Sequence, residues 1–330
     1  MSKRSLQTGE SAHCNVARAP RLDRLRIRHL RLLELIAEHG SLSAAAQQLT
    51  LSQPAATKML HELEAAFRVE LVARTTRGAV LTPAGVVALE RLGIALNALA
   101  AAALSMEEAP LVPVVRLGVL PLVGVVALPR LLAAITARSD CPRLVVQEST
   151  VDGLFAMLGS GELDCVVGRI GSGQDTPGAS KVVVTPLWEE RLAIACALNH
   201  PVGDLHIAGL TELRELEWIV APRGAHIRQV FEEPFLAAGI VPPRPSVESF
   251  SFHTNLCMVA KSRLLTAAPD SAVRHYERLG MVRSVRHDVS FPAGRAVFIT
   301  REDMAASPSV MLIRNALLSL VKDEAEGVLG

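Results

Sequence analysis

Residues 41–64 read SLSAAAQQLTLSQPAATKMLHELE, and this stretch decides how the N-terminal part of the chain folds. Ser43 is placed to cap a short helix through its hydroxyl. Ala44, Ala45 and Ala46 follow without side-chain bulk, so another helix can approach closely. Leu49 and Leu51 are expected to bury beneath a turn. Ser52 is a second cap, with Pro54 in the first turn of the next helix, where a missing N–H costs nothing. Ala56, Met59, Leu60 and Leu63 then take the i, i+3, i+4, i+7 spacing of a helix with one buried face. Gln53, Ala55, Thr57, Lys58 and His61 fall on or near the other face. Gln pairs bidentately with adenine, Ala touches a thymine methyl, and Thr and Lys reach phosphate. The pattern predicts a helix-turn-helix that sets its second helix into a DNA major groove. The alternative is a helical hairpin with a merely solvated outer face.

The flanks extend this reading. Ile27, Leu30, Leu33, Ile36 and Ala37 form an apolar stripe on a predicted helix ending at Gly40. Downstream, Val69 and Leu71 lead into ARTTRGAVLT, a short basic loop around Gly78 that predicts a wing. Arg74 and Arg77 are there to meet phosphates or a minor groove. Residues 1–82 hold twelve Lys/Arg against seven Asp/Glu, although the whole chain is only +1. Positive charge is concentrated where a DNA footprint requires it.

From Leu30 to Gly85 the chain resembles the N-terminal domain of the LysR-type transcriptional regulators. The resemblance rests on Ala45, Ala46 and Leu49, on Ser52-Gln53-Pro54-Ala55, on Leu63-Glu64, Leu71 and Arg74, and on Thr82-Pro83-Ala84-Gly85. The family usually has Leu-Phe before the wing arginine. Here Val72 follows Leu71 and Ala73 precedes Arg74, so the wing is expected to sit differently. The block from about residue 113 onward resembles the family's effector domain more diffusely.

Thr82 is a further cap, with Pro83 at the first helical position. After it Leu89, Leu92, Leu96, Leu99, Ala103 and Met106 step by three and four residues, an a/d seam held for more than two heptads. A helix from Pro83 to about Glu107 is predicted, pairing with a second copy; packing of the stripe on its own domain is the alternative. In LysR-like proteins this segment is the linker helix that pairs two DNA-binding domains. Ala109-Pro110-Leu111-Val112-Pro113 then breaks the helix.

Beyond Val114, short apolar runs alternate with helical segments. Strands are predicted at Val114–Leu120, Leu144–Gln147, Cys165–Val167, Val182–Pro186, Arg191–Cys196, Trp218–Val220, Pro245–Glu248, Leu264–Ala268 and Ala296–Thr300. Helices are predicted at Val125–Ala137 and Val151–Leu158, which implies a mainly parallel sheet with helices on both faces. The length suffices for two such sheets. The resemblance implies the two-lobed arrangement of type 2 periplasmic binding proteins, with crossovers near Glu189 and Asp288. The expected division is a disordered tail at 1–22, a winged helix-turn-helix at 23–82 and a linker at 83–112. An α/β effector domain follows at 113–322, with lobe I at about 113–189 and 288–322 and lobe II at about 190–287.

Ligands of open parallel sheets sit beyond the C-terminal ends of strands, beside helix N-termini. That rule selects Leu120 and Pro121, Ser149 and Thr150, Arg169, Arg223, and Ser249 and Phe250 as effector-binding candidates. Arg169 follows the apolar strand CVVG, where a guanidinium at the cleft mouth binds a carboxylate through a two-point fork. An arginine paired with an acid such as Glu148 is the other reading. By the resemblance, Thr150 matches a position where relatives place an effector-contacting hydroxyl. Leu120 replaces their usual Ser or Thr after the first strand, which suggests a partly apolar ligand.

Half the residues are hydrophobic, ample for sizeable cores. No uninterrupted apolar run reaches membrane-spanning length, and the first twenty residues lack the hydrophobic core of a secretory signal. Five cysteines without a C-x-x-C argue against a disulfide framework or zinc site. Cys165 and Cys196 read as core residues, and redox sensing by the thiols stays open. The histidines show no metal-ligand spacing and read as isolated surface or capping residues. No P-loop, G-x-S-x-G, H-E-x-x-H or G-x-G-x-x-G occurs, so no catalytic constellation and no cofactor are expected. The sequence therefore predicts a cytoplasmic, non-enzymatic, dimeric or tetrameric regulator with DNA, RNA polymerase and a small-molecule effector as partners. Organic acids are among the compatible effectors, and no membrane is involved. The rival is a two-lobed binding protein or enzyme whose helical N-terminal domain makes protein contacts.

Overall fold

Gly40, in the left-handed conformation at φ +62°, stops the first helix, and the turns after it build the N-terminal unit. The computed structural model describes residues 21–75, 78–106, 112–170, 182–207 and 209–325. The chain divides into two units, Met1–Leu96 and Asn97–Gly330. The predicted tail, up to residue 20, lies outside the described residues.

In the first unit α1 (Ile27–His39) buries His29, Leu32, Leu33 and Ile36. The buried face is turned from the expected stripe, since Ile27 is exposed and so is Ala37. His29 accounts for the rotation: its Nδ1 accepts from Arg26 N at 2.9 Å and its Nε2 meets Glu62 at 3.1 Å. It is a buried cap, not a surface histidine. Ser41, not Ser43, caps α2 (Leu42–Gln48), accepting from Ala44 N at 3.4 Å. The turn at Gly40 leaves Ser41 extended at φ −150°, and Ser43 is already helical and exposed. Ser52 caps α3 (Gln53–Phe67) by accepting from Ala55 N at 3.4 Å. The hairpin of β1 (Val72–Thr75) and β2 (Gly78–Leu81) pairs antiparallel, Val72 opposite Leu81. Leu32, Leu33, Ile36, Ala45, Ala56, Leu60, Leu63, Leu71 and Val72 share one core, with Leu49, Leu51 and Met59 packed at its edge.

Helix α4 (Pro83–Leu104) ends a turn short of the predicted Glu107. Residues 107–111, which hold most of the expected helix-breaking segment, lie outside the described residues. Among the described residues, α4 is long and apolar enough to cross a membrane by length and composition, its most apolar 18-residue stretch having a mean hydropathy of 1.6. The run is not uninterrupted, since Glu90, Arg91 and Asn97 fall within it, but they do not lower the average enough to fail that test.

The second unit opens with β3 (Val114–Val119), α5 (Pro121–Val126) and α6 (Leu128–Ile135). One helix was expected over 125–137. Pro129, in the first turn of α6, has no N–H to continue α5, so the helix restarts. There follow β4 (Arg143–Glu148), α7 (Val151–Ser160), β5 (Cys165–Ile170), β6 (Val182–Glu190), β7 (Leu192–Ala197) and β8 (His206–Ile207). Next come α8 (Leu210–Arg214), β9 (Trp218–Val220), α9 (His226–Ala237), β10 (Val247–Glu248), α10 (Phe252–Val259), β11 (Leu265–Pro269) and α11 (Asp270–Arg278). The unit closes with β12 (Val282–Ser284), β13 (Arg286–His287), β14 (Gly294–Arg301) and α12 (Pro308–Ala325).

Two five-stranded sheets result, ordered β4-β3-β5-β14-β6 and β10-β9-β11-β7-β12. Each carries a hydrophobic cluster on both faces, around Leu117 and Phe298 or Leu154 and Ile299 in one, and Trp218 and Phe235 or Leu256 and Val273 in the other. The sheets are mixed, where a mainly parallel one was expected. β14 runs antiparallel to β5 and β6, and β7 antiparallel to β11 and β12. These reversed strands flank the crossovers, β6 to β7 at Glu190–Leu192 and β13 to β14 over residues 288–293. The strands β8, β12 and β13 are too short to have shown a two-residue period.

Candidate DNA interface and effector cleft

Helix α3 divides into the two faces its spacing requires. Ala56, Leu60 and Leu63 are buried, while Gln53, Pro54, Lys58 and His61 are exposed and Ala55 and Thr57 half-exposed. Ser52, exposed at the cap, starts the helix where its first residues face outward. Thr50, left-handed at φ +55°, makes the turn, and Leu51 N donates to Ala46 O at 2.9 Å to close it. Lys58 Nζ lies 4.0 Å from Glu62, and with 80% of its side chain exposed this pair leaves the ammonium open to solvent. Arg74 is exposed on β1, and Arg77 lies outside the described residues.

The wing is fastened by contacts that sequence reasoning passed over. Glu64 Oε1 accepts from Leu71 N at 2.9 Å and Val72 N at 3.2 Å. Ala79 N donates to Gly40 O at 2.8 Å, and a Cβ on Gly78 would stand 2.3 Å from that oxygen. Thr82 Oγ1 donates to Glu70 O at 2.7 Å and accepts from Gly85 N at 3.0 Å. A Cβ on Gly85 would come within 2.0 Å of Leu71 O, so the Thr-Pro-Ala-Gly run welds α4 to the wing. Val72, 5% exposed, fills the space beneath the wing, and the hairpin keeps an unbroken register. Along α4, Leu89 and Leu92 pack at the edge of this unit's own core and Leu96 is buried. Leu99 (50%), Ala103 and Met106 (73%) are exposed.

In the second unit the candidate residues fall at strand ends on both lobes. Leu120 is half-buried, touching clusters on both faces of its sheet, and Pro121 is exposed at the start of α5. Thr150 Oγ1 caps α7 by accepting from Gly153 N at 3.3 Å; Ser149 lies against the same turn, its Oγ 2.6 Å from where a Gly153 Cβ would be. Arg169 Nη2 donates to the Glu190 carbonyl at 3.4 Å. Glu148, the acid considered as its partner, sits instead beside α5, 3.5 Å from the place of a Gly124 Cβ. Burial lowers the Arg169 pKa from its ordinary value, and the Glu190 charge opposes that shift. From the other lobe, His226 at the start of α9 comes near enough to sense it. Burial first, and the Arg169 charge second, hold the His226 imidazole below its ordinary value.

Arg223 and Phe250 are exposed and Ser249 half-buried on the second lobe. Two buried residues, unmarked by any motif, hold their loops. Arg228 donates to Ala221 O at 3.0 Å and pairs with Glu232 and Glu248. Asn255 Nδ2 donates to Ser249 O at 3.2 Å. Among the described residues no group of three or more His, Cys, Asp or Glu could hold a metal ion. Cys165 and Cys196 are buried free thiols whose pKa burial raises, and Cys141 and Cys257 are half-buried and free.

A winged helix-turn-helix joined by a long helix to a two-lobed α/β unit defines a ligand-responsive DNA-binding regulator. The chain belongs to the LysR family. Residues 27–86 match the model for bacterial regulatory helix-turn-helix proteins of that family, and residues 109–322 match the LysR substrate binding domain. It is 33% identical over 226 residues to the HTH-type transcriptional regulator PcaQ of Agrobacterium fabrum, covering 67% of this chain and 71% of the relative. It is 28% identical to GbpR of Azospirillum brasilense, over 90% of this chain and 86% of that one. The fold is similar to a full-length OxyR variant from Pseudomonas aeruginosa (TM-score 0.59, 21% identity, covering 89% and 98%). It is comparably similar to full-length CbnR complexed with its target DNA (TM-score 0.57, 21% identity, covering 90% and 99%). The protein is a DNA-binding transcriptional regulator with an effector-binding domain.

Proposed function

We propose that α3 reads operator DNA through Gln53, Ala55, Thr57, Lys58 and His61, with Ser43, Ser52 and Pro54 at the approach to the backbone and Arg74 and Arg77 on phosphates. The observation that carries this is the partition of α3: Ala56, Leu60 and Leu63 are buried, while the groove-directed residues are exposed or half-exposed. Two copies joined along α4 through Leu99, Ala103 and Met106, with the outer sides of Leu89 and Leu92, set two recognition helices about 34 Å apart, while Leu96, 5% exposed, is taken up by its own chain. Residues 113–322 form the effector domain, its cleft walled by Leu120, Pro121, Ser149, Thr150 and Arg169 of one lobe and Arg223, Ser249 and Phe250 of the other. The ligand is a small, partly apolar organic acid, and it shifts the DNA-bound assembly only by binding one state better than the other. RNA polymerase is the downstream partner, the site of action is the cytoplasm, and the chain performs no catalysis.

Gel-shift titration on DNA from upstream of its own gene tests the reading. Lys58→Ala weakens binding to all sequences alike and lowers the salt slope by about one. Gln53→Ala loses about 1–3 kcal/mol of discrimination between matched and altered operators. Unchanged binding in both variants would move recognition off α3.

A further inference from the structure

The sheet order sets β5, β14 and β6 side by side, with Arg169 opposite Ala296 and Glu190 opposite Gly294. To reach the Glu190 carbonyl, the Arg169 side chain therefore spans β14. It passes over Gly294, where a Cβ would stand 2.3 Å from Nε, 2.5 Å from Nη2 and 2.6 Å from Cζ. Glu190 ends the strand that leaves for the second lobe, and Gly294 opens the strand that returns from it. One guanidinium thus touches both crossovers. Glu190 itself is 4% exposed, and its carboxylate accepts from Trp188 Nε1 at 3.2 Å, Ser271 N at 3.1 Å and Ser271 Oγ at 2.8 Å. Ser271 belongs to the first turn of α11, in the second lobe. The crossover is anchored to that lobe by the Glu190 side chain and to the first lobe through its carbonyl.

We propose that Arg169 is a strap across the two interlobe crossovers, and that Gly294 is the gap through which it passes. The inference rests on reading the cleft as the effector site and assigns how that site is regulated. A guanidinium carries five N–H donors, and a bond of 3.4 Å to a neutral carbonyl is a weak use of them. A carboxylate arriving in the cleft offers a charged, two-point acceptor that outcompetes that carbonyl. The strap then lifts from Gly294 and Glu190, and the crossovers lose their shared tether while Glu190 keeps its hold on α11. Because the lift is driven by the ligand's charge, binding and interlobe freedom are linked.

Hydrogen exchange on the full-length protein without ligand tests this, comparing Gly294→Ala, Arg169→Gln and the double variant. Gly294 lies outside the left-handed region, so alanine strains no backbone there and acts by displacing Arg169. Each single variant is expected to speed exchange in both crossovers, residues 188–192 and 290–295, by about ten-fold, leaving β3 unchanged. The double variant should add nothing further, since both changes release one strap. Unchanged crossover exchange in either variant, or additive effects in the double, overturns the proposal; if Gly294→Ala fails to fold, Arg169→Gln decides alone. Gel shifts on the same preparations keep the two readings apart. Salt-dependent DNA binding with unmoved crossovers removes the strap and keeps the regulator. Loosened crossovers without any DNA binding remove the proposed operator contacts and keep the strap.

Discussion

Replacing Glu64 with alanine should detach the wing while leaving the recognition helix folded. The Glu64 side chain is 14% exposed and holds two amides where the wing's first strand begins, Leu71 N at 2.9 Å and Val72 N at 3.2 Å. Without it, both N–H groups lose their acceptor beneath Leu71 and Val72, which are 1% and 5% exposed. A hydrogen bond to a charged acceptor is worth about 1.5–3 kcal/mol net. Two bonds that share one oxygen do not add in full, so the expected loss is about 2–4 kcal/mol in the opening of this strand. That corresponds to roughly 30- to 1,000-fold faster exchange of the two amides. Glu64→Gln keeps a neutral oxygen at the same place and should lose about half as much. Exchange measured amide by amide in the full-length protein reads the effect directly, and DNA affinity should fall with it as Arg74 loses its platform. Native protection of Leu71 and Val72 in Glu64→Ala would refute the reasoning, and equal losses for alanine and glutamine would show that the charge is irrelevant.

Leu99→Asp places a carboxylate on the half-exposed seam of α4 and should shift the protein to monomer in sedimentation at micromolar concentration, with the secondary structure intact; an unchanged mass would put the dimer contact elsewhere. Because the folded-state pKa of His226 is depressed below 6.5, its contribution to stability is intact above about that pH and is lost as pH falls through the folded pKa. Arg169→Gln removes the second cause of that depression, so the His226 midpoint followed by NMR should rise, and a fixed midpoint would separate the two residues.

The helix-turn-helix was legible because its signals are local. Cap, proline and apolar spacing all lie within Ser52–Leu63, and each acts on neighbours a turn away. The long strands of the second unit were legible for the same reason, as apolar runs between polar breaks. The contacts that fasten the pieces were not. Glu64 acts on residues seven and eight positions on, Gly85 on a carbonyl fourteen back, and Arg169 on a strand two places away in the sheet. None of these has a period, so nothing in the linear pattern marks them. Arg228 and Asn255 were missed because polar residues on a helix read as solvated, whereas burial turned them into braces for the loops after β9 and β10. Ser43 was chosen over Ser41 because two serines two apart offer the same hydroxyl, and only the left-handed Gly40 decides between them.

Helix α4 meets the length and hydropathy of a membrane span, yet its fastenings and its residues favour a partner helix. Only 6% of its most apolar window is buried within the chain. Its first turn is pinned to the wing by Thr82 and by the fit of Gly85 against Leu71 O. Leu89 and Leu92 already lie on the winged-helix core, so lipid would have to displace that contact. Glu90 and Arg91 fall near the middle of the segment, where an arginine costs about 2.5–3.5 kcal/mol in a bilayer. Alanines such as Ala98, Ala100, Ala101 and Ala102 make up much of the helix's second half, and they offer little area for lipid to cover. What remains exposed and large is Val86 and Val87 near the start and a stripe through Leu99 and Met106, with Leu104, toward the end. A second α4 would cover that stripe and leave Glu90 and Arg91 in water, which is the environment both charges require.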